Sequence, residues 1–219
     1  MILAAVAMGI GMESLRNLTV KDKYGRGRMA EHSFPETIDT QRLILRRYRS
    51  EDSAGILELV QQNRAHLIRD FAQQAALRSL ADVLAFTAEK YEQWATGKTF
   101  CYGIWRIGTS EQVGQIQVKN IEWKIPSAEL GYFIGESFQR RGYATESMRE
   151  LLRALFEQLG FKRVFLRILP ANSESISLAR KLGFREEGLH RRAFRCGFGE
   201  LHDVHYLSFI QDDWPLQAN

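Results

Sequence analysis

A short loop between a strand pattern and a long helix pattern carries residue types suited to binding phosphate. A glycine and a small residue at the start of a helix, here Gly142 and Ala144, let the backbone come close to a ligand. The first N–H groups of a helix have no partner within it, and the helix dipole makes that end positive. The loop therefore favours a pyrophosphate site, although an ordinary strand-to-helix turn with solvated arginines fits the same residues. The loop consists of Gln139, Arg140, Arg141, Gly142, Tyr143 and Ala144.

A strand–helix–strand unit would position this loop. Residues 128–134 read as a strand, apolar residues from Ala144 to Leu159 recur at helical spacing, and Gly160 ends that helix. Residues 163–169 form a short β-branched and aromatic run, typical of a buried parallel strand. We interpret residues 37–219 as one α/β domain. We predict further strands at 43–48, 100–107, 112–121, 185–195 and 201–210, and helices through 56–60, 80–96 and 174–182.

Composition and charge narrow the class of protein. Of 219 residues, 45% are hydrophobic and 26% are charged, which is typical of a globular chain that can bury a core. The formal net charge is +4, but Met1–Arg28 holds five basic and two acidic residues, so the rest of the chain carries only +1. A nearly neutral body does not favour a nucleic-acid partner. The mean hydropathy of −0.29, without a long apolar run, predicts no membrane segment.

Cysteine usage and the N-terminal segment bear on the compartment and on the limits of the fold. Cys101 and Cys196 lie far apart, outside any CxxC motif, with no His or Cys companion at metal-ligand spacing. We therefore expect reduced cysteines in a cytoplasmic protein and no metal site.

Met1–Arg28 has no positive residue before its apolar run, unlike a secretory signal. We interpret residues 1–36 as a mobile leader or start-site extension outside the fold.

Four short motifs in a fixed order carry a resemblance to a known family. They are Glu129-Leu130-Gly131-Tyr132, the segment Gln139–Glu146, Asn172-x-x-Ser175, and Lys181–Phe184 followed by Glu187-Gly188. Over residues 40–214 the chain resembles the GNAT superfamily of N-acetyltransferases, and more narrowly its RimJ/RimL-like branch. The resemblance implies a mixed, twisted sheet of six or seven strands, with a V-shaped split at its centre and helices on both faces.

The resemblance also implies acetyl-CoA as the co-substrate and assigns residues to it. The backbone amides of Gln139–Ala144 would hold the pyrophosphate, with Arg140, Arg141 and Lys181 among the residues that bind the cofactor. Pantetheine would enter the gap between the two parallel strands, and Asn172 would form a hydrogen bond with it. From the residues alone, Asn172 reads as a helix N-cap, and the two roles are compatible.

Acetyl transfer needs a proton acceptor, because an α-amine is largely protonated at neutral pH and must be neutral to attack a thioester. Glu129 is the candidate base, since the resemblance places its strand beside the thioester. The alternative is a partly exposed strand carboxylate that pairs with a neighbour. A backbone N–H of the same strand, near Phe133 or Ile134, would polarise the thioester carbonyl.

The proton donor for the departing thiolate is harder to assign. Many relatives place a tyrosine seven residues after the motif asparagine, where this chain has Ala179. Ser175 could serve in its place, directly or through water, or it could be an ordinary serine in the first turn of a helix. Tyr132 is expected to pack in the core.

The predicted function is acetyl transfer from acetyl-CoA to a primary amine, above all the α-amine of a protein N-terminus. One alternative is acetylation of a small amine such as an amino acid, a polyamine or an antibiotic. Another is a catalytically weak acyl-CoA-binding regulator, which Ala179 keeps open. The segments 61–79 and 191–200 would decide the acceptor, because an open groove favours a peptide and a narrow or acidic pocket favours a small cation. A homodimer also stays open.

Overall fold

The computed structural model describes residues 34–217, with side chains described up to Trp214. The elements below belong to one compact unit that starts at Pro35. Residues 1–33 of the predicted leader, residues 1–36, lie outside the described residues, and the domain limits at residues 36 and 37 stay a prediction. Within the described part of the chain, no helix is long and apolar enough to cross a bilayer.

The described chain forms eight strands in a single sheet. The strands are β1 Thr37–Asp39, β2 Leu43–Arg46, β3 Phe100–Arg106, β4 Gln112–Glu122, β5 Ser127–Ile134, β6 Arg163–Ile168, β7 Arg185–Arg195 and β8 Leu201–Ile210. The helices are α1 Ser53–Asp70, α2 Ala72–Ala75, α3 Leu80–Ala95, α4 Tyr143–Arg153 and α5 Ser173–Leu182. The sheet order is β1-β2-β3-β4-β5-β6-β8-β7, in which β5 and β6 are parallel and the other neighbours antiparallel.

The sheet has one strand more than the largest number expected. The additional strand, β1, has three residues, which is too short to show a period in the sequence. It forms because its backbone pairs with β2, with Ile38 opposite Leu45. The mixed α/β class itself is confirmed.

Local chemistry sets several helix ends. Ser79 begins α3 with a capping box, in which its hydroxyl accepts from the Asp82 N–H and the Asp82 carboxylate accepts from the Ser79 N–H. Gly183, with a φ of 102°, ends α5 in the left-handed conformation that glycine adopts without a steric penalty. After Arg153 the chain continues as a π-helix over Ala154–Gln158, so the predicted single helix changes its period before Gly160.

Helices cover both faces of the sheet, as the resemblance implies. Side chains alternate along β5, so neighbouring residues point to opposite faces. Phe133 packs into a buried cluster with residues of α1 and α3, whereas Tyr132 lies beside Ser175 of α5. The cluster residues from the two helices are Ile56, Leu59, Val60, Leu67, Val83 and Phe86.

The sheet opens between β5 and β6. Their parallel pairing runs from Ser127 opposite Arg163 to Glu129 opposite Phe165. Beyond that point β5 remains paired with β4 on its other side, and β6 remains paired with β8. The two strands therefore diverge towards their carboxyl ends, which is the V-shaped split that the family resemblance implies.

Candidate active site

The loop before α4 leaves backbone N–H groups without partners in the helix. Gly142 is the N-cap residue with a φ of 81°, and Arg140 also has a left-handed backbone with a φ of 60°. The Glu146 N–H donates the first helical hydrogen bond to the Gly142 carbonyl at 3.0 Å, and no described side chain caps this end. The N–H groups of residues 143–145 therefore point out past Gly142, at the positive end of the helix dipole. This arrangement fits a pyrophosphate.

The polar side chains of the loop tie it to its surroundings. Gln139 Nε2 donates to the Ile134 carbonyl at 3.3 Å. Arg140 pairs with Glu174 of α5 at 3.2 Å, and Arg141 donates to a carbonyl of the preceding turn at 2.8 Å. The Arg140 side chain is 86% exposed, and a pair so exposed contributes little free energy. An anion can therefore replace these contacts at small cost.

Glu146, in the first turn of α4, fastens the loop to the β1–β2 connection. Its Oε1 accepts from Thr40 Oγ1 at 2.5 Å and from the Arg42 N–H at 2.7 Å, and its Oε2 accepts from Arg42 Nε at 2.7 Å. Burial raises the pKa of Glu146, but the hydrogen bonds and the Arg42 charge outweigh burial, and its net pKa lies below the usual value. The position of the loop thus depends on residues more than 100 positions away in sequence.

The backbone of β5 offers groups to the gap at every second residue. The Gly135 N–H donates to β4 at 2.9 Å, and hydrogen-bonded and outward-facing residues alternate along an antiparallel pair. Ile134, Tyr132 and Leu130 therefore direct their N–H and C=O groups towards the gap. Phe133 directs its own groups to β4, so its N–H is not placed to polarise a carbonyl in the gap. Of the two amides in the prediction, the Ile134 N–H alone has the required direction.

Glu129 is the last residue of β5 that pairs with β6, so it lies where the two strands begin to diverge. It is 3% exposed. Its Oε1 lies 3.3 Å from Lys119 Nζ, and its Oε2 lies 3.0 Å from Arg167 Nη2. Asn120 Nδ2 donates a hydrogen bond to the same Oε2 at 2.6 Å. The carboxylate thus links β4 to β6 across β5. Pairing with neighbours, the alternative to a catalytic role, is observed, and the same carboxylate lines the cleft where a base is needed.

Asn172, Ser175 and Tyr132 lie together where the start of α5 meets β5. Asn172 Oδ1 accepts from the Ser175 N–H at 3.1 Å, which is the N-cap arrangement of α5. The Tyr132 hydroxyl is buried beside Ser175 but has no well-formed hydrogen bond within residues 34–217. Burial raises the pKa of Tyr132 to about 12, so this hydroxyl keeps its proton. Tyr132 lines the cleft, which differs from the expected core position.

Lys181, another predicted cofactor residue, lies at the far end of α5 from Asn172. It is exposed and occupies the last turn of α5. Nine residues separate it from Asn172, which is about 14 Å along a helix axis. Ala179, where many relatives carry a tyrosine, is fully buried.

The gap opens into a cleft, and an adjoining open groove shares part of its lining. Glu129 and Ser175 line the cleft, and Asp70, Phe71 and Phe194 line both the cleft and the groove. The groove runs between the α1–α2 corner and the β7–β8 hairpin, and its lining mixes acidic, basic, amide and aromatic groups. The remaining groove residues include Arg69, Gln73, Gln74, Gln117 and Arg195.

Gly197 allows the β7–β8 hairpin to dock on the end of α1. Its N–H donates to the Arg69 carbonyl at 3.2 Å. A Cβ at this position would lie 1.9 Å from the Ile68 carbonyl oxygen, so no side chain fits without moving the backbone. The docked hairpin forms one wall of the groove.

The sequence identified 61–79 and 191–200 as the segments that would decide the acceptor, and Asp70 and Phe194, which lie in them, line the passage to the groove. Sequence reasoning did not single out Lys119 and Arg167, which hold Glu129. The one available signal was Arg167, a charged residue between Leu166 and Ile168 in a largely apolar strand. Lys119 belongs to no motif, because its contact with Glu129 depends on the pairing of β4 with β5.

Comparison with known proteins connects this geometry to a family. Residues 42–185 match the family described as acetyltransferase (GNAT) domain. The Bacillus subtilis protein "Putative ribosomal N-acetyltransferase YdaF" is 32% identical over 101 residues, which cover 46% of this chain and 55% of that protein. The ribosomal protein uS5-alanine N-acetyltransferase of Escherichia coli is 24% identical over 183 residues, which cover 81% of this chain and 92% of that enzyme.

A solved structure shows the same fold. Mycobacterium smegmatis RimJ in complex with CoA-disulfide aligns with a TM-score of 0.76 at 22% identity, over 84% of this chain and 92% of that chain. The matched family spans β2 to the start of β7 and includes the loop, the split and α5. The chain therefore belongs to the acetyltransferase (GNAT) domain family.

Proposed function

We propose that this N-acetyltransferase transfers the acetyl group of acetyl-CoA to the α-amine of a protein N-terminus. The observation that carries the proposal is the groove, which adjoins the cleft beside Glu129 and is more open to solvent than that cleft. A small cationic amine would be held by a narrow or acidic pocket, whereas the lining includes Arg69 and Arg195 as well as Asp70. The names of the ribosomal-protein relatives support the same class of acceptor.

In this proposal acetyl-CoA binds along β5 at the split, with its pyrophosphate on the loop before α4. The N–H groups of residues 143–145 bind the pyrophosphate, and Arg140 and Arg141 exchange their present partners for phosphate oxygens. The pantetheine chain pairs with the outward-facing backbone of β5 at Leu130 and Tyr132. The acetyl group then lies where β5 and β6 begin to diverge, beside the Glu129 carboxylate.

Glu129 accepts the proton that the amine must lose, directly or through a water molecule. The amine enters from the groove and attacks the thioester carbon, and the tetrahedral intermediate expels the thiolate. An outward-facing N–H of β5 stabilises the oxyanion. Lys119 and Arg167 position the carboxylate, since they hold its two oxygens from opposite strands.

Ser175 relays a proton from solvent water to the departing thiolate, so that its own hydroxyl is restored in the same step, and Tyr132 supports it. The two hydroxyl groups are neighbours, and the buried Tyr132 hydroxyl stays protonated at neutral pH. A hydrogen bond from Tyr132 to Ser175 Oγ would orient the serine proton towards the sulfur. This pair stands in for the tyrosine that relatives carry at the position of Ala179.

The test is acetyl-CoA turnover, measured as free thiol release, with a matched panel of acceptors. The panel contains peptides with a free N-terminus, the same peptides with a blocked N-terminus, and small amines. We expect kcat/KM for the free peptides to exceed that for small amines by about 100-fold or more, since groove contacts contribute binding energy to the transition state. Equal values for peptides and small amines, or turnover of the blocked peptides, would contradict the proposal.

A further inference from the structure

Three side chains of the β7–β8 hairpin place metal-binding atoms together. Cys196, Glu200 and His202 each offer one ligand atom, and these atoms lie within 4.8 Å of one another. His202 Nε2 and Glu200 Oε2 are 3.3 Å apart. The residue spacing shows no familiar metal motif, which is why the sequence predicts none.

The hairpin register explains the convergence. Phe194 lies opposite His202, and the Cys196 N–H donates to the Glu200 carbonyl at 2.9 Å, so Cys196 and Glu200 close the turn as opposite residues. Side chains of opposite residues, and of residues two apart on one strand, share a face. The thiol, the carboxylate and the imidazole therefore project from the same face of the hairpin tip.

We propose that Cys196, Glu200 and His202 bind a divalent transition-metal ion of the Zn²⁺ type. Sulfur, imidazole nitrogen and carboxylate oxygen are the three donor types that Zn²⁺ takes in proteins, and three protein ligands leave a fourth position for water. Bond lengths of about 2.0–2.3 Å in a tetrahedral site put ligand atoms about 3.3–3.8 Å apart. The Glu200–His202 pair already has this spacing, and rotation of the exposed Glu200 and partly exposed His202 side chains can shorten the distances to Cys196 Sγ.

Cys196 is suited to the role, because its thiol is free and 4% exposed, which protects it from oxidation. It binds as a thiolate, and its proton passes to solvent. The turn that carries it is braced by Arg195 Nη1 donating to the Gly199 carbonyl at 2.7 Å and by the docking of Gly197 on α1. A metal ion here joins the two strands at the tip and stiffens the hairpin wall of the groove.

The experiment uses the full chain, freed of metal by a chelator, and titrates it with Zn²⁺ by calorimetry and with Co²⁺ by absorption spectroscopy. We expect one Zn²⁺ per chain and a thiolate-to-Co²⁺ charge-transfer band. Loss of a residue that only forms a hydrogen bond with a metal ligand lowers metal affinity by about 10- to 100-fold, and loss of a ligand should cost at least as much. We therefore expect Cys196→Ser and His202→Gln each to weaken Zn²⁺ binding by about tenfold or more.

Matched controls are His190→Gln, on the same hairpin outside the triad, and Cys101→Ala, the other described cysteine. Both should keep wild-type Zn²⁺ affinity. Circular dichroism checks that each variant folds, and His202→Gln keeps the test decisive if Cys196→Ser is unstable, since His202 is partly exposed whereas Cys196 is buried. Wild-type binding no tighter than that of folded His202→Gln, or a Co²⁺ complex without the thiolate band, would overturn the proposal.

Discussion

The two sides of the split are built differently. On the cofactor side, backbone groups of one short segment, residues 139–145, make the candidate phosphate site. On the acceptor side, side chains from α1, β4, β6 and the β7–β8 hairpin surround the Glu129 carboxylate and the groove. The site made from consecutive backbone groups depends on distant residues mainly through one anchor, Glu146 with Thr40 and Arg42. The site made from distant side chains depends on every contact that holds its walls.

The largest effect is expected where the two sides meet. Glu129→Gln should lower kcat by about 10²–10⁴-fold, the usual loss when general-base help is removed, with acetyl-CoA affinity unchanged. Steady-state kinetics and calorimetry measure the two quantities. Lys119→Gln is the matched control, because it breaks the same ion pair but keeps the carboxylate. An equal loss of kcat in Lys119→Gln would show that Glu129 acts only as a structural partner.

A substitution in the loop should affect the cofactor side alone. Gly142→Asp places a carboxylate beside the phosphate site, and like-charge repulsion should weaken acetyl-CoA binding by about 10- to 100-fold without altering acceptor KM. Gly142→Ala carries the same backbone strain at a φ of 81° without the charge, so its loss should be smaller. Calorimetry compares the two variants. Unchanged acetyl-CoA affinity in folded Gly142→Asp would remove the basis for the phosphate site.

Ser175→Ala should reduce kcat by less than Glu129→Gln, about tenfold, because a thiolate with a pKa near 8.5 leaves tolerably well without a proton donor. Tyr132→Phe should show a similar or smaller loss, since the tyrosine acts through the serine. Rapid-quench or steady-state thiol release measures both. Should Ser175→Ala prove more damaging than Glu129→Gln while still binding acetyl-CoA, the assignment of base and acid would be wrong.

Gly197→Ala should affect the acceptor side alone. The added Cβ collides with the Ile68 carbonyl, so the hairpin must shift. We expect a loss of about 1–3 kcal/mol in unfolding free energy and a higher KM for the peptide acceptor. Gly199→Ala is the control, since its Cβ meets nothing within 4 Å although its φ is 84°. Denaturant unfolding and peptide kinetics test the pair. A raised acetyl-CoA KM in Gly197→Ala would contradict the separation of the two sides.

The smallest effect concerns the anchor of the loop. Glu146→Gln should cost about 1–2 kcal/mol of unfolding free energy at neutral pH, as expected for hydrogen bonds to a charged group. Because the pKa of Glu146 is lowered in the folded state, its stabilisation is present above the unfolded pKa and is lost as pH falls through the folded pKa. Wild type should therefore lose more stability than the variant between about pH 6 and pH 3. Glu174→Gln, an exposed control, should cost less than about 0.5 kcal/mol.

Where structure depends on neighbouring residues, the sequence predicted it closely. The strand expected at 185–195 and the helix ending at Gly183 match β7 and α5, because periodicity and a left-handed glycine act over a few residues. The three-residue β1 was missed, since it exists only through pairing with β2. The N-cap role of Asn172 was predicted from its place before Glu174 and is observed.

The acidic and basic partners of the site could not be predicted in the same way. Glu129 was identified through its motif, but nothing in the sequence joins it to Lys119 and Arg167. Tyr132 was expected in the core, as is usual for an aromatic residue in a largely apolar strand. Because β5 and β6 diverge, its side chain lines the cleft instead. Both outcomes depend on where β6 parts from β5.

The sequence by itself determined the order of the longer strands and helices, the turn at Gly142 and the family to which the chain belongs, because each depends on residues close together or on motifs in a fixed order. Only the tertiary structure decided which charges surround Glu129, which amides of β5 face the gap, and how the hairpin closes on α1 through Gly197. The physical reason is that these contacts join segments far apart in sequence, and their geometry is set by strand register and helix packing rather than by any local preference.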